Sequence, residues 1–138
     1  MDGLTINENE LVKCDMEAVA VVIPEGVEKI GREAFSCCEK LKRIRLPAGV
    51  LQIGEYAFEY CTSLKRLTLP EGLRAIENCA FYRCGRLKKI TLPDSVCEIG
   101  QNAFLGCDKI SVFYKGKRYT QKNVGELYPP EPEDDSDS

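Results

Sequence analysis

Residues 47–69 read PAGVLQIGEYAFEYCTSLKRLTL, and the pattern recurs on both sides without a gap. Residues 24–46 read PEGVEKIGREAFSCCEKLKRIRL, 70–92 read PEGLRAIENCAFYRCGRLKKITL, and 93–115 read PDSVCEIGQNAFLGCDKISVFYK. Pro24, Pro47, Pro70 and Pro93 open the four units; Phe35, Phe58, Phe81 and Phe104 share one position, and Cys38, Cys61, Cys84 and Cys107 another. The period is 23 residues throughout. A unit that short cannot bury its own apolar side, so it must stack on its neighbours with equivalent residues in ladders.

Within each unit, L-x-x-[IL]-x-L (Leu64, Leu67, Leu69 and equivalents) alternates at its end and reads as a short strand with apolar residues inward. Proline then stops the strand, because it has no N–H for a ladder. Gly26, Gly49 and Gly72 follow two residues later and permit a turn. Val50-x-x-Ile53 supplies a second apolar step, Ala57-Phe58 brings a ring inward, and Cys61 closes the coil.

These residues give P-x-G-V-x-x-I-G-x-x-A-F-x-x-C-x-x-L-x-x-I-x-L, which resembles the leucine-rich repeats of the BspA-like class over residues 18 to 115. The resemblance implies a leucine-rich repeat solenoid. That is a right-handed, curved, parallel β superhelix with strands on the concave side and an irregular or 3-10 convex side. It also implies a surface or secreted protein that binds other proteins. One departure stands out: Gly49, Gly72 or Ser95 occupies the corner where leucine-rich repeats commonly place Asn or Cys, so other turn bonds must satisfy that corner.

The flanks read as hairpin caps. Leu4, Ile6, Leu11 and Val12 flank the polar turn Asn7-Glu8-Asn9-Glu10, and Val112-Phe113-Tyr114 and Arg118-Tyr119-Thr120 flank Lys115-Gly116-Lys117. The expected organisation is a cap hairpin and first strand over 1–23, repeats over 24–115, a C-terminal cap over 116–128, and a disordered acidic tail over 129–138. On this reading 1–128 is one capped unit, and the chain is expected to be a monomer.

The 138 residues carry 19 bases and 22 acids, a net charge of −3. Five of the acids (Glu131, Glu133, Asp134, Asp135 and Asp137) lie in the tail, leaving 17 acids against 19 bases elsewhere. That near-neutral body does not support a strongly cationic nucleic-acid binder. No apolar run approaches the ~18 residues of a membrane helix. There is no histidine, which excludes imidazole catalysis and imidazole metal ligands. With no phosphate loop and no C-x-x-C, the chain reads as non-enzymatic, with no cofactor and no metal.

The repeated cysteines read first as buried fillers; disulfides between neighbours and a metal site are the other two readings. Cys14, Cys37, Cys79 and Cys97 fall outside the repeated position and are expected to be partly exposed. Lone thiols and the lack of a visible signal segment favour the cytoplasm, whereas the resemblance favours the cell surface.

Function is expected at the outward positions of the concave strands: Ala20 and Val22, Arg43 and Arg45, Arg66 and Thr68, Lys89 and Thr91, Val112 and Tyr114. The middle is basic. The candidate contacts are Arg43, Arg45, Arg66, Thr68, Lys89, Thr91 and Tyr114, which suit an acidic protein partner. Two other readings remain: the cations merely keep a sheet soluble, or they bind a polyanion such as nucleic acid.

Overall fold

The computed structural model describes residues 3–130. The acidic residues of the expected tail, 131–138, lie outside the described residues. The chain winds as a β-solenoid of about five turns. Its elements are β1 (Leu4–Asn7), β2 (Glu10–Cys14), β3 (Ala20–Val22), β4 (Lys29–Ile30), β5 (Arg43–Arg45), β6 (Gln52–Ile53), β7 (Ala75–Ile76), β8 (Lys89–Leu92), β9 (Glu98–Ile99), β10 (Ser111–Tyr114) and β11 (Lys117–Tyr119), followed by a 3-10 helix, Val124–Leu127.

Three ladders hold one coil on the next. The first is the concave sheet. In it β3 pairs β5, isolated bridges Arg45–Thr68 and Arg66–Lys89 carry the register across the third coil, and β8 pairs β10. The expected strand around Leu67 is thus reduced to two bridges. The second ladder is formed by the Val-x-x-Ile step: Leu11, Ile30, Ile53, Ile76 and Ile99 lie in one row of parallel pairs. The third runs along the Ala-Phe turn, where Phe35 N–H donates to Ala57 O at 2.7 Å and Phe58 N–H to Ala80 O at 2.7 Å. Between these bonds Ala57 N–H returns to Gly54 O, a tight turn that curls the chain.

That curl needs left-handed backbone twice per coil. Tyr56 and Tyr60 have φ of 57°, and Cys79 and Arg83 have 55° and 58°; Gly106 takes the same position with 84°. Non-glycine residues there cost roughly 1 kcal/mol each, so the inter-coil bonds must outweigh local strain. Gly54 has a different role. A Cβ there would sit 2.8 Å from Ile30 O, a contact real side chains do not make. The fourth coil has Glu77 at this position, and its carboxylate accepts the Glu55 N–H at 3.2 Å.

The core is one narrow seam. Phe35, Phe58, Phe81 and Phe104 are fully buried and stack with ring centroids 5.0, 5.3 and 5.5 Å apart and planes within 4°. The corner without Asn closes by turns: Leu73 N–H donates to Pro70 O at 3.1 Å, and Ser95 Oγ donates to Leu73 O at 2.6 Å.

Hairpins flank the coils at both ends. β1 pairs β2, and β10 pairs β11 through Lys115 and Gly116, whose φ values of 49° and 80° suit a two-residue turn. Among the described residues no further coil bonds the Phe turn of Phe104, and side chains substitute. Phe104 N–H donates to the Tyr128 hydroxyl at 3.0 Å, while Gln121 Nε2 donates to the carbonyls of Phe104 and Cys107 at 2.8 and 2.9 Å. Burial pushes the Tyr128 phenol up to about 12.

Candidate functional site

The concave face is built by strand alternation. Ile44, Leu67 and Ile90 point into the seam, so their neighbours must point out. Arg43, Arg45, Arg66, Thr68, Lys89 and Thr91 are all exposed there. The two bridges set Arg45 beside Thr68 and Arg66 beside Lys89. Lys42, Lys65 and Lys88 stand one residue earlier in the same three coils, also exposed.

Between the third and fourth coils lies a depression of about 730 Å³, lined by Lys65, Arg66, Thr68, Lys88, Lys89 and Thr91 with Glu71 at one side. Seven cations therefore share three adjacent coils. Among the described residues none of the seven is in an ion pair; the four pairs all involve Arg32, Lys40 or Lys117. Like charges one strand apart repel, and the face holds them without internal neutralisation.

Tyr114 and Val112 are placed differently from expectation. β10 pairs Ser111 with Lys89, Val112 with Ile90, Phe113 with Thr91 and Tyr114 with Leu92. The step from Lys89 to Ser111 is 22 residues, one short of the period, and a slip of one residue in a strand moves every side chain to the other face. Val112 is fully buried. Tyr114 packs against the core and its hydroxyl donates to Val96 O at 2.5 Å. The residues that extend the basic face are instead Ser111 and Phe113. Lys89 Nζ stands 5.3 Å from the Phe113 ring centre, a cation–π contact. The shortened spacing Ile110-x-Val112, against Leu87-x-x-Ile90, is the signal that marks this slip.

The cysteine ladder is more than filler. Cys61, Cys84 and Cys107 donate their thiols to the carbonyls of Phe35, Phe58 and Phe81 at 3.1, 3.0 and 3.1 Å. Burial pushes the Cys38 thiol up to about 12, with the Cys14 thiol adding to it, and burial raises Cys61 further. A hydrogen bond with Cys107, then burial, holds Cys84 well above its ordinary value. Cys14, expected to be partly exposed, is buried beside Cys38: Leu11 pairs with Ile30 only 19 residues on, so the first coil is four residues short of the period and Cys14 N–H donates to Ala34 O as Phe35 N–H does to Ala57 O. Cys37 and Cys79 are half-buried and Cys97 is exposed; none of the eight is in a disulfide. Among the described residues no cluster of three metal-ligating side chains occurs, and no helix is long and apolar enough to cross a membrane.

A parallel solenoid with one apolar seam, a strand per coil and an open, rigid face defines a leucine-rich repeat protein. The BspA type leucine rich repeat region matches residues 4–123 in six copies, and the chain belongs to that family. The fold is similar to a leucine-rich repeat protein of T. pallidum (33% identity, 75% of this chain and 62% of that one, TM-score 0.64). It is also similar to one from Bacteroides capillosus (27% identity, 83% and 99%, TM-score 0.66). A leucine rich cell surface protein from Faecalibacterium prausnitzii matches at 25% identity over 89% of this chain and 38% of that one, with a TM-score of 0.66. The chain thus spans about three fifths of the T. pallidum protein. No curated protein matches the chain. Repeat proteins of this class generally serve as non-enzymatic modules for protein interaction.

Proposed function

We propose that the chain binds an acidic protein segment on the concave face, across the coils that carry Arg43, Arg45, Arg66 and Lys89. The observation that supports this is the set of seven exposed cations on three adjacent coils without ion-pair partners among the described residues. Arg43, Arg45 and Arg66 offer forked donors for carboxylates, Thr68 and Thr91 add hydroxyls, and Phe113 adds an apolar edge. The rigid sheet lowers the ordering cost of binding, so charge complementarity sets register and rate.

An Asp/Glu-rich peptide with a fluorescent label tests the reading. Its affinity should fall about tenfold or more when Arg43, Arg45, Arg66 and Lys89 are together replaced by Glu, and should weaken with salt. Unchanged affinity in that variant contradicts it. An arbitrary RNA that binds more tightly than the peptide would favour the polyanion alternative.

The eight cysteines without disulfides support a reducing compartment, the cytoplasm. The likeness to a cell surface protein supports the surface as the alternative.

A further inference from the structure

The two edges of the concave sheet are not alike. At one end β11 carries Lys117 and Arg118, exposed charges of the kind that discourage edge pairing. At the other end β3 is Ala20-Val21-Val22, paired on one side only among the described residues. Arg43 N–H donates to Val19 O and Ile23 N–H to Arg45 O, so the odd-numbered residues turn their backbone groups toward β5. By alternation the N–H and C=O groups of Ala20 and Val22 turn to the open side. The first 22 residues are also rich in exposed apolar side chains. Of seven exposed large hydrophobic residues among those described, five (Ile6, Val12, Met16, Val19 and Val22) lie in this first stretch, and Val22 is 68% exposed.

We propose that this edge pairs with the same edge of a second copy, β3 running antiparallel to its counterpart about a two-fold axis at Val21. In that register Ala20 faces Val22 of the other copy and each pair exchanges two N–H to C=O bonds, which satisfies all the outward groups. The facing side chains are one small and one β-branched residue, so they pack without clash. Charge also selects this end. β3 has no base on its concave face, and joining two copies there would keep the Arg43 columns three strand spacings apart, roughly 14 Å. That exceeds the screening length of about 8 Å at physiological salt, so the basic faces tolerate one sheet. Joining copies at β11 would instead bring Lys117 and Arg118 together. A self-complementary patch closes as a dimer and does not propagate into a fibre.

Sedimentation equilibrium of the full chain tests this. The wild type should show a concentration-dependent mass rising from 15.5 kDa toward twice that value. Val22→Lys, on a side chain already exposed, should weaken association about tenfold or more. Val22→Thr, which keeps the β-branch, should retain it, and at dilution, where all three proteins are monomers, both variants should melt like the wild type. A wild type that stays monomeric at ~1 mM overturns the proposal, as does a dimer that Val22→Lys leaves intact. Binding of an unrelated extended peptide at β3 by a wild type that never self-associates would overturn the second copy as occupant.

Discussion

The Cys61 thiol donates to the Phe35 carbonyl at 3.1 Å, from one coil to the one before it. The same carbonyl accepts the Cys38 N–H at 3.1 Å, so a single oxygen ties a tight turn to the next coil. The bond recurs at Cys84 and Cys107, which gives the repeated cysteine a directional task that packing alone would not require. Cys61→Ala should therefore cost about 2 kcal/mol, combining a small cavity with the lost donor. Cys61→Ser, which keeps a donor, should cost less. Urea unfolding of the three proteins checks the order, and an alanine variant as stable as the serine variant would contradict it.

The ladder also sets an alkaline limit. Cys38, Cys61 and Cys84 keep their protons in the fold well above the ordinary value of 9.0. Above that value the unfolded chain releases these protons and the folded chain retains them, so unfolding gains. Stability should be complete below about pH 8.5 and fall as pH rises toward 12, by about 1.4 kcal/mol per pH unit for each thiol that ionises only on unfolding. Urea midpoints between pH 8 and 11 measure this. A flat profile would show that the thiols are not held protonated.

Phe58 has a ring on each face, Phe35 at 5.0 Å and Phe81 at 5.3 Å. Phe58→Ala should cost about 3–5 kcal/mol, the range for truncating a buried ring. A loss under 1 kcal/mol in chemical denaturation would mean that the rings do not form the spine.

The last coil depends on borrowed partners. Tyr128→Phe removes the acceptor of the Phe104 N–H and should cost about 1–3 kcal/mol. Gln121→Leu, which strips donors from the Phe104 and Cys107 carbonyls, should cost a similar amount. Hydrogen exchange at the Phe104 amide should quicken in Tyr128→Phe before it does at the Phe58 amide, which keeps its Ala80 acceptor. Equal acceleration at both amides would contradict a local cap.

Much of this is legible in the repeat. Identical residues at a period of 23 dictate stacking, and alternation in Leu64-x-x-Leu67-x-Leu69 dictates which side chains leave the core. What escapes the pattern is what breaks its period. A one-residue deletion before Val112 turns Phe113 outward and Tyr114 inward, and a first coil four residues short, with Leu11 beside Ile30, sets Cys14 next to Cys38. Side chains that replace a missing neighbour, such as Gln121 and Tyr128, carry no periodic signal because they occur once. The thiol bonds also leave no trace in composition, since a buried cysteine reads the same with or without an acceptor. The candidate face was legible as charge, and its depression between the third and fourth coils required the coordinates.

The central claim is that an acidic partner docks on the concave strands. Amide NMR of the labelled chain, titrated with an Asp/Glu-rich peptide, maps the contact residue by residue. The account predicts shifts concentrated at Arg43–Arg45, at 66–68 and at 89–91, extending to Phe113 and fading with added salt. Shifts confined to the opposite side, at Tyr56, Tyr60 and Tyr82, or none at saturating peptide, would contradict it.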